Sequence, residues 1–344
     1  MKNYSIILIG LGILLLGAMA LSICIGAVKI SAGELRSILA YRMNWSDEIH
    51  FSRQQESVLF GLRLPRVFLG ILVGSSLAIS GAAMQGLFRN PLAEPGLIGI
   101  SSGASLFAVL AIVMELKFLT AIFGYHALAI AAFVGACLAT FMVYRVSVVG
   151  GKANITTLLL VGIAINALAG SFTGLLTYTS TDEQLRNITF WSLGSLGGAS
   201  WKTVTAILPF VLIPLIVLPF LAKSLNALAL GESQAGYMGV NVDMLKKVTI
   251  VLATLGVGAS VAVSGVIGFV GLVVPHILRM AFSADNRLVI PGSALLGAIV
   301  LVLADLLSRT LLAPAELPIG ILTALIGTPI FIYIILRERS VNTI

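Results

Sequence analysis

The chain has 344 residues, of which 58% are apolar and 10% charged, with a mean hydropathy of +1.07. A soluble domain is about 45–50% apolar and about 25% charged, so a water-soluble fold could not hide this surface and the chain belongs in a bilayer. The formal charge of +7 fits lysines and arginines at span ends rather than a nucleic-acid partner, and two cysteines, Cys24 and Cys137, both inside apolar runs, exclude a disulfide framework.

The first apolar run imitates a secretory signal, with Lys2, an apolar stretch from Ile6 and the small triplet Ala18-Met19-Ala20. The run continues to Val28, a length that suits an uncleaved span. With 5–28, further spans at 58–84, 95–114, 119–144, 155–178, 201–222, 245–265, 267–281, 289–311 and 317–336 make ten. A helix needs about 20 apolar residues to cross the hydrocarbon, and helices satisfy every backbone group there. The expected fold is therefore an all-α polytopic membrane protein, a single domain over 1–344. The 267–281 segment is short and contains Pro275, as a broken helix packed within protein would.

Small residues crowd two of these spans: Gly70, Gly74, Ser75, Ser76, Ser80 and Gly81 in one, Gly256, Gly258, Ser260, Ser264 and Gly265 in another. In lipid such residues let helix backbones approach closely. Ala78-Ile79-Ser80-Gly81-Ala82 and Ala262-Val263-Ser264-Gly265-Val266 echo each other, five spans apart, as an inverted repeat would place them. Charge does not orient the bundle, because lysines and arginines divide eleven to ten between the two sides, a tie under the positive-inside rule.

No catalytic constellation stands out. Gly150-Gly151-Lys152-Ala153 lacks the rest of a phosphate-binding loop. His50, His126 and His276 have no metal-ligand spacing, so neither a metal site nor an enzymatic activity is expected. Asp305 is the one acid well inside an apolar run, with Arg309 one turn on to pair with it. That is little ionisable chemistry for a proton-coupled carrier. Thr156, Thr157, Asn166, Ser171, Thr173 and Thr177 on the fifth span either line a pathway or bond between helices. LGESQAGYMGVNV, Leu230 to Val242, is a small, polar, glycine-studded insert between apolar runs. There Leu230, Met238 and Val240 offer apolar knobs, Gly231, Gly236 and Gly239 permit sharp turns, and Glu232 suits a helix start.

As an ordered set the motifs are distinctive. Arg63-Leu64-Pro65-Arg66 opens the second span, followed by Ser80-Gly81-Ala82-Ala83-Met84-Gln85-Gly86 and Arg89-Asn90-Pro91-Leu92-Ala93-Glu94-Pro95-Gly96. Later come Leu230-Gly231-Glu232 with Met238-Gly239-Val240, Gly268-Phe269-Val270-Gly271-Leu272-Val273-Val274-Pro275-His276, and Glu316-Leu317-Pro318-Ile319-Gly320. End to end, the chain resembles the FecCD-type permeases of ABC importers, which take up iron-siderophores, heme and vitamin B12.

The resemblance implies about ten helices per subunit in a vitamin B12 permease-like fold, working as a homodimer in a bacterial inner membrane with both termini cytoplasmic. It implies a pair of cytoplasmic ATPase subunits that hold ATP and Mg, a periplasmic binding protein, and no cofactor bound by this chain. Residues 226–243 would form cytoplasmic coupling helices in a cleft of the ATPase, with Leu230, Gly231, Glu232, Ala235, Met238, Gly239 and Val240 at the contact. Asn90, Leu92, Thr156, Thr157 and Asn166 would form the cytoplasmic gate and pathway. Arg63, Arg66 and Arg309 would receive glutamates of the binding protein at the periplasmic mouth. The segment DEQLRNITFWSLGSLGG, 182–198, looks most like heme permeases, so heme is the expected cargo, with a ferric siderophore or vitamin B12 as alternatives. A rival from another class is a secondary carrier that works without ATP.

Overall fold

The computed structural model describes residues 4–45, 50–115 and 117–341; Lys2, counted above, lies outside them. Among the described residues the helices are, in chain order, α1 (Tyr4–Cys24), α2 (Ala32–Arg42), α3 (Arg53–Val58), α4 (Leu64–Phe88), α5 (Ile100–Val113), α6 (Lys117–Phe123), α7 (Ala127–Ser147), α8 (Ile155–Tyr178), α9 (Asp182–Ser192), α10 (Trp201–Phe220), α11 (Ala222–Ala229), α12 (Glu232–Tyr237), α13 (Val242–Ser264), α14 (Val270–Ala281), α15 (Asn286–Ser308) and α16 (Ile319–Val341). A small antiparallel hairpin, β1 (Val148–Val149) with β2 (Lys152–Ala153), joins α7 to α8.

Seven helical segments are long and apolar enough to cross a bilayer, and three shorter apolar helices, α5, α14 and the first part of α16, complete the ten expected spans. The chain is a multi-pass membrane protein. Two of the short spans are short for local reasons. Pro91 and Pro95 delay α5, which follows a 3-10 turn over Pro95–Ile98; proline lacks the N–H that a helix interior uses. α14 starts late because Gly265 and Phe269 both take positive φ, 68° and 67°. The interruption expected at Pro275 thus falls before the helix, and Pro275 sits inside α14. The second span is longer than expected, because α3 continues through a π-helical turn, Leu59–Arg63, into α4.

The bundle is built around α4. Every residue from Leu72 to Phe88 is buried, against α10, α13, α14 and α15. The small residues make this possible. A Cβ added at Gly74 would lie 2.3 Å from the Gly297 carbonyl oxygen of α15, and one at Gly81 would lie 1.8 Å from that of Gly271 in α14. The five-residue echo does not repeat this structure: Gly81 lies inside α4, whereas Gly265 ends α13. α1 rests on α15 through Leu11 and Ala18, which share an apolar cluster with Leu278, Ile299 and Val302.

The two ends of the bundle differ in what they gather. At one end, Tyr4 of α1 donates to Asp285 before α15, and Asn226 of α11 donates to the same carboxylate. At the other, Arg63 and Arg66 on the second span meet the end of α1, Asp305 of α15 and Glu316 before α16.

Candidate functional site

The segment between α10 and α13 lies at the Tyr4 end. α11 turns Leu225 and Leu228 inward. Gly231, at φ 119°, reverses the chain, and α12 starts on Glu232, where a helix N-terminus favours negative charge. Ala235 is fully buried and fastens α12 to the bundle. Val240 N–H donates to Ala235 O at 3.0 Å, closing the segment after Gly239 at φ 82°. Beside exposed Ser233 and Gln234, three large apolar side chains face outward: Leu230, Tyr237 and Met238 are 65%, 92% and 63% exposed. Tyr237 was not among the expected contact residues, although an aromatic between Gly236 and Gly239 was the signal. Glu232 stays partly exposed but is held to the bundle, its Oε2 accepting from Lys246 Nζ at 2.8 Å; Lys246 also donates to Ala153 O at 2.8 Å.

The loop after α4 has a fixed shape. Arg89 ends the helix in the left-handed region, at φ 51°. Asn90 Oδ1 accepts from Leu92 N at 2.9 Å, and Asn90 O accepts from Ala93 N at 3.1 Å, an Asx turn that mimics a backbone turn. Both Asn90 and Leu92 are exposed. Thr156 and Thr157 open α8 behind the Asn154 cap, which accepts from Thr157 N. Asn166 lies deeper. Its Nδ2 donates to Gly96 O at 3.1 Å and its Oδ1 accepts from Ser102 Oγ at 2.5 Å, tying α8 to the start of α5. Ser171 and Thr177 donate back to carbonyls of α8 itself. A cavity of about 260 Å³, lined by Glu94, Ser102, Asn166 and Phe269 among others, lies beside Asn166. The rest of α8 is largely uncovered, and Gly170 and Gly174 face open space.

At the opposite end the three expected docking arginines do converge, but each has internal partners. Arg63 is only 5% exposed. It donates to the carbonyls of Ile23, Cys24 and Val28, so it caps the C-terminus of α1, where a cation is favoured. An open docking role for Arg63 does not match this burial, because both of its Nη atoms already bond backbone carbonyls. Arg66 Nε donates to Asp305 Oδ1 at 2.8 Å, and its two Nη atoms grip Glu316 at 2.8 and 3.0 Å, the bidentate geometry that guanidinium and carboxylate favour. Arg309 donates to Ser22 and stands 3.7 Å from Asp305. The expected Asp305–Arg309 pair is therefore the looser one, because Arg66 reaches Asp305 from another helix at hydrogen-bond distance. The Arg66 hydrogen bond holds the Glu316 carboxyl below the usual carboxylate range.

A polar hub at the Tyr4 end escaped the sequence reading. Asp285 caps α15 and accepts from Asn226 at 2.7 Å, from Tyr4 at 3.2 Å and from Arg287 at 2.8 Å. Burial works to raise its carboxyl, but the Arg287 and Asn226 hydrogen bonds prevail and hold it well below the usual range. Nearby, Arg279 of α14 donates to Asn286 and to Ala82 O of α4.

Residues 14–337 match the FecCD transport family. The chain is similar to the hemin transport system permease protein HmuU of Yersinia pestis, with 48% identity over 303 residues, 88% of this chain and 89% of that protein. It is similar to the cobalamin import system permease protein BtuC of Halobacterium salinarum, with 43% identity over 283 residues, 82% and 74% of the two chains. It also resembles the solved inward-facing conformation of an ABC transporter described as metal-chelate type, with a TM-score of 0.84 and 33% identity over 96% of this chain and 99% of that one.

Proposed function

The chain belongs to the FecCD transport family, and from that premise we propose that it is the permease through which an ATP-driven importer carries heme from the periplasm to the cytoplasm. The observation that carries the cargo assignment is the 48% identity to a hemin permease along nearly its whole length. The 43% identity to a cobalamin permease keeps vitamin B12 as the second reading. The test is ATP hydrolysis by the reconstituted complex with binding proteins loaded with heme, a ferric siderophore or cobalamin. Heme-specific stimulation is expected. Stimulation by cobalamin alone would move the cargo, and uptake driven by a proton or sodium gradient without ATP would replace the mechanism.

In this reading the protein is a homodimer in the bacterial inner membrane with cytoplasmic termini. The uncovered faces of α8 and α16, including Ile163, Phe172, Leu325 and Ile332, meet the second copy. A pair of ATPase subunits, holding ATP and Mg, receives Leu230, Tyr237 and Met238, while Gly231, Ala235, Gly239 and Val240 shape the segment and Glu232 anchors it. Asn90 and Leu92, with Thr156 and Thr157, close the cytoplasmic side of the pathway, and Asn166 fixes α8 beside it. The periplasmic binding protein docks at the arginine end. Arg66 serves it most directly, because a carboxylate on the partner can replace Glu316 in the same bidentate grip. Such exposed pairs contribute only ~0–1 kcal/mol each, so the exchange is easily reversed. Arg309 supports that surface, and Arg63 sets it indirectly by holding the end of α1.

A further inference from the structure

We propose that Lys246 is the positioning residue that transmits movement of the coupling segment to the foot of α8. The inference rests on the docking of the ATPase against α12. Lys246, on the first turns of α13, is 2% exposed. A lysine is almost never buried so fully unless it is paired. Its ammonium joins two elements that no covalent neighbour joins: the Glu232 carboxylate, which begins α12, and the Ala153 carbonyl, which ends β2. Ala153 is followed directly by Asn154, the cap of α8. The hairpin is held shut at that point by Asn154 N–H donating to Ser147 O at 3.2 Å. The path from α12 to α8 is thus one side chain long, and it ends one residue before the cap of the helix that carries Thr156 and Thr157.

The other half of the coupling segment is fastened elsewhere. Asn226 of α11 binds Asp285 at the start of α15. α11 therefore has its own tie to the bundle, and α12 acts on α8 through Lys246. A displacement of α12 by its ATPase would pull the Ala153 carbonyl with it, as long as the ammonium holds both acceptors. Such coupling between sites needs an element that both can bias; the hairpin and α8 foot supply it.

A plain structural role predicts something different. Removing Lys246 alone leaves the partly exposed Glu232 carboxylate without its cation, whereas removing both leaves no charge behind. The experiment uses the whole complex, with its ATPase and loaded binding protein, in proteoliposomes. Lys246→Met is expected to assemble and hydrolyse ATP within about twofold of wild type while cargo moved per ATP falls about tenfold, a magnitude typical of coupling between sites. Lys246→Met combined with Glu232→Leu leaves no unpaired charge, and the low cargo-to-ATP ratio should persist. If that ratio is normal in the double variant, or if hydrolysis and transport fall in parallel in both variants, the proposal is overturned. A Tyr237→Cys crosslink to the ATPase, formed in every variant, separates the two layers: its absence removes docking, whereas its presence with a normal ratio removes Lys246 alone.

Discussion

α4 and α8 are alike as sequences and opposite as structures. Both are long, nearly equal in mean hydropathy, and both carry glycines four residues apart, Gly70 with Gly74 and Gly170 with Gly174. Yet 89% of the most apolar window of the second span is buried, against 17% for α8. A Cβ on Gly74 would strike the α15 backbone, while one on Gly170 or Gly174 would meet nothing within 4 Å. Small-residue spacing announces that a backbone will come close; it does not say which one. For α4 the neighbour lies in the same chain. α8 packs within the chain at a few points, Leu158, Gly162, Asn166 and Ala169, and Gly162 approaches the Leu97 carbonyl oxygen so closely that a Cβ would lie 2.0 Å away.

The comparison can be broken most sharply inside α4. Gly81→Leu should abolish folded protein in the membrane, because the obstacle is the Gly271 backbone and not a movable side chain; the penalty should exceed the ~1–3 kcal/mol of ordinary overpacking. Yield after detergent extraction and thermal unfolding would report it, and a near-normal Gly81→Leu protein would refute the account of α4. Gly162→Leu also meets backbone, the Leu97 carbonyl oxygen, but in a short 3-10 turn and not in a core helix, so it should be milder, leaving the chain folded but displacing the foot of α8 and lowering transport by about tenfold, ~1.4 kcal/mol. Gly170→Leu with Gly174→Leu should leave the subunit intact and weaken the proposed dimer by about tenfold, ~1.4 kcal/mol. Native mass measurement decides this: an unchanged dimer would mean that lipid, not a second copy, faces these glycines.

Asn166→Ala tests the one strong polar tie of α8 to the 94–102 segment. It should lower stability by ~0.6 kcal/mol, the average for hydrogen bonds between membrane helices, with a melting shift smaller than that of Gly162→Leu. The smallest effect belongs to the outer end of α4, where α8 has no counterpart clamp. Because the Glu316 carboxyl is held below its usual value, its bond to Arg66 contributes fully above the ordinary carboxylate pKa of ~4.3. That contribution is lost as pH falls through the lowered value. Wild type should therefore lose ~0–1 kcal/mol on acidification that Glu316→Gln has already lost at neutral pH. Parallel melting curves over that pH range would dismiss the clamp.

Ten spans were legible because apolar runs of this length have few alternatives in a bilayer. The insert from Leu230 to Val242 was legible for the opposite reason, as the polar interruption of an apolar chain. Partnership was not legible. Arg66 meets Asp305 and Glu316 only after α4, α15 and α16 have been brought together, and no local pattern signals that. Lys246 read as one more cation at a span end, yet it is the largest of the fully buried side chains among the described residues. Phe269 adopts a left-handed backbone that favours glycine, so the true break before α14 was invisible while Pro275 drew attention. The helices α2 and α9 were not expected as elements because short amphipathic pieces outside the spans leave no long apolar signature, and helices over 226–243, where α12 and the end of α11 lie, were expected only from the family resemblance.

The seat of α1 on α15 has a consequence for biogenesis. Leu11 and Ala18 pack against Ile299 and Val302, residues that a ribosome adds roughly 15–60 s later at ~5–20 residues per second. Until then the nascent first span has no native companion on that face and must be content in lipid alone. Its sequence fits such a wait, since it has the highest mean hydropathy of the seven long segments. Arg63 arrives much sooner, and its grip on Ile23, Cys24 and Val28 can anchor the far end of the waiting helix. A charged substitution at Leu11 should therefore harm insertion of newly made chains well beyond its effect on the stability of chains already assembled.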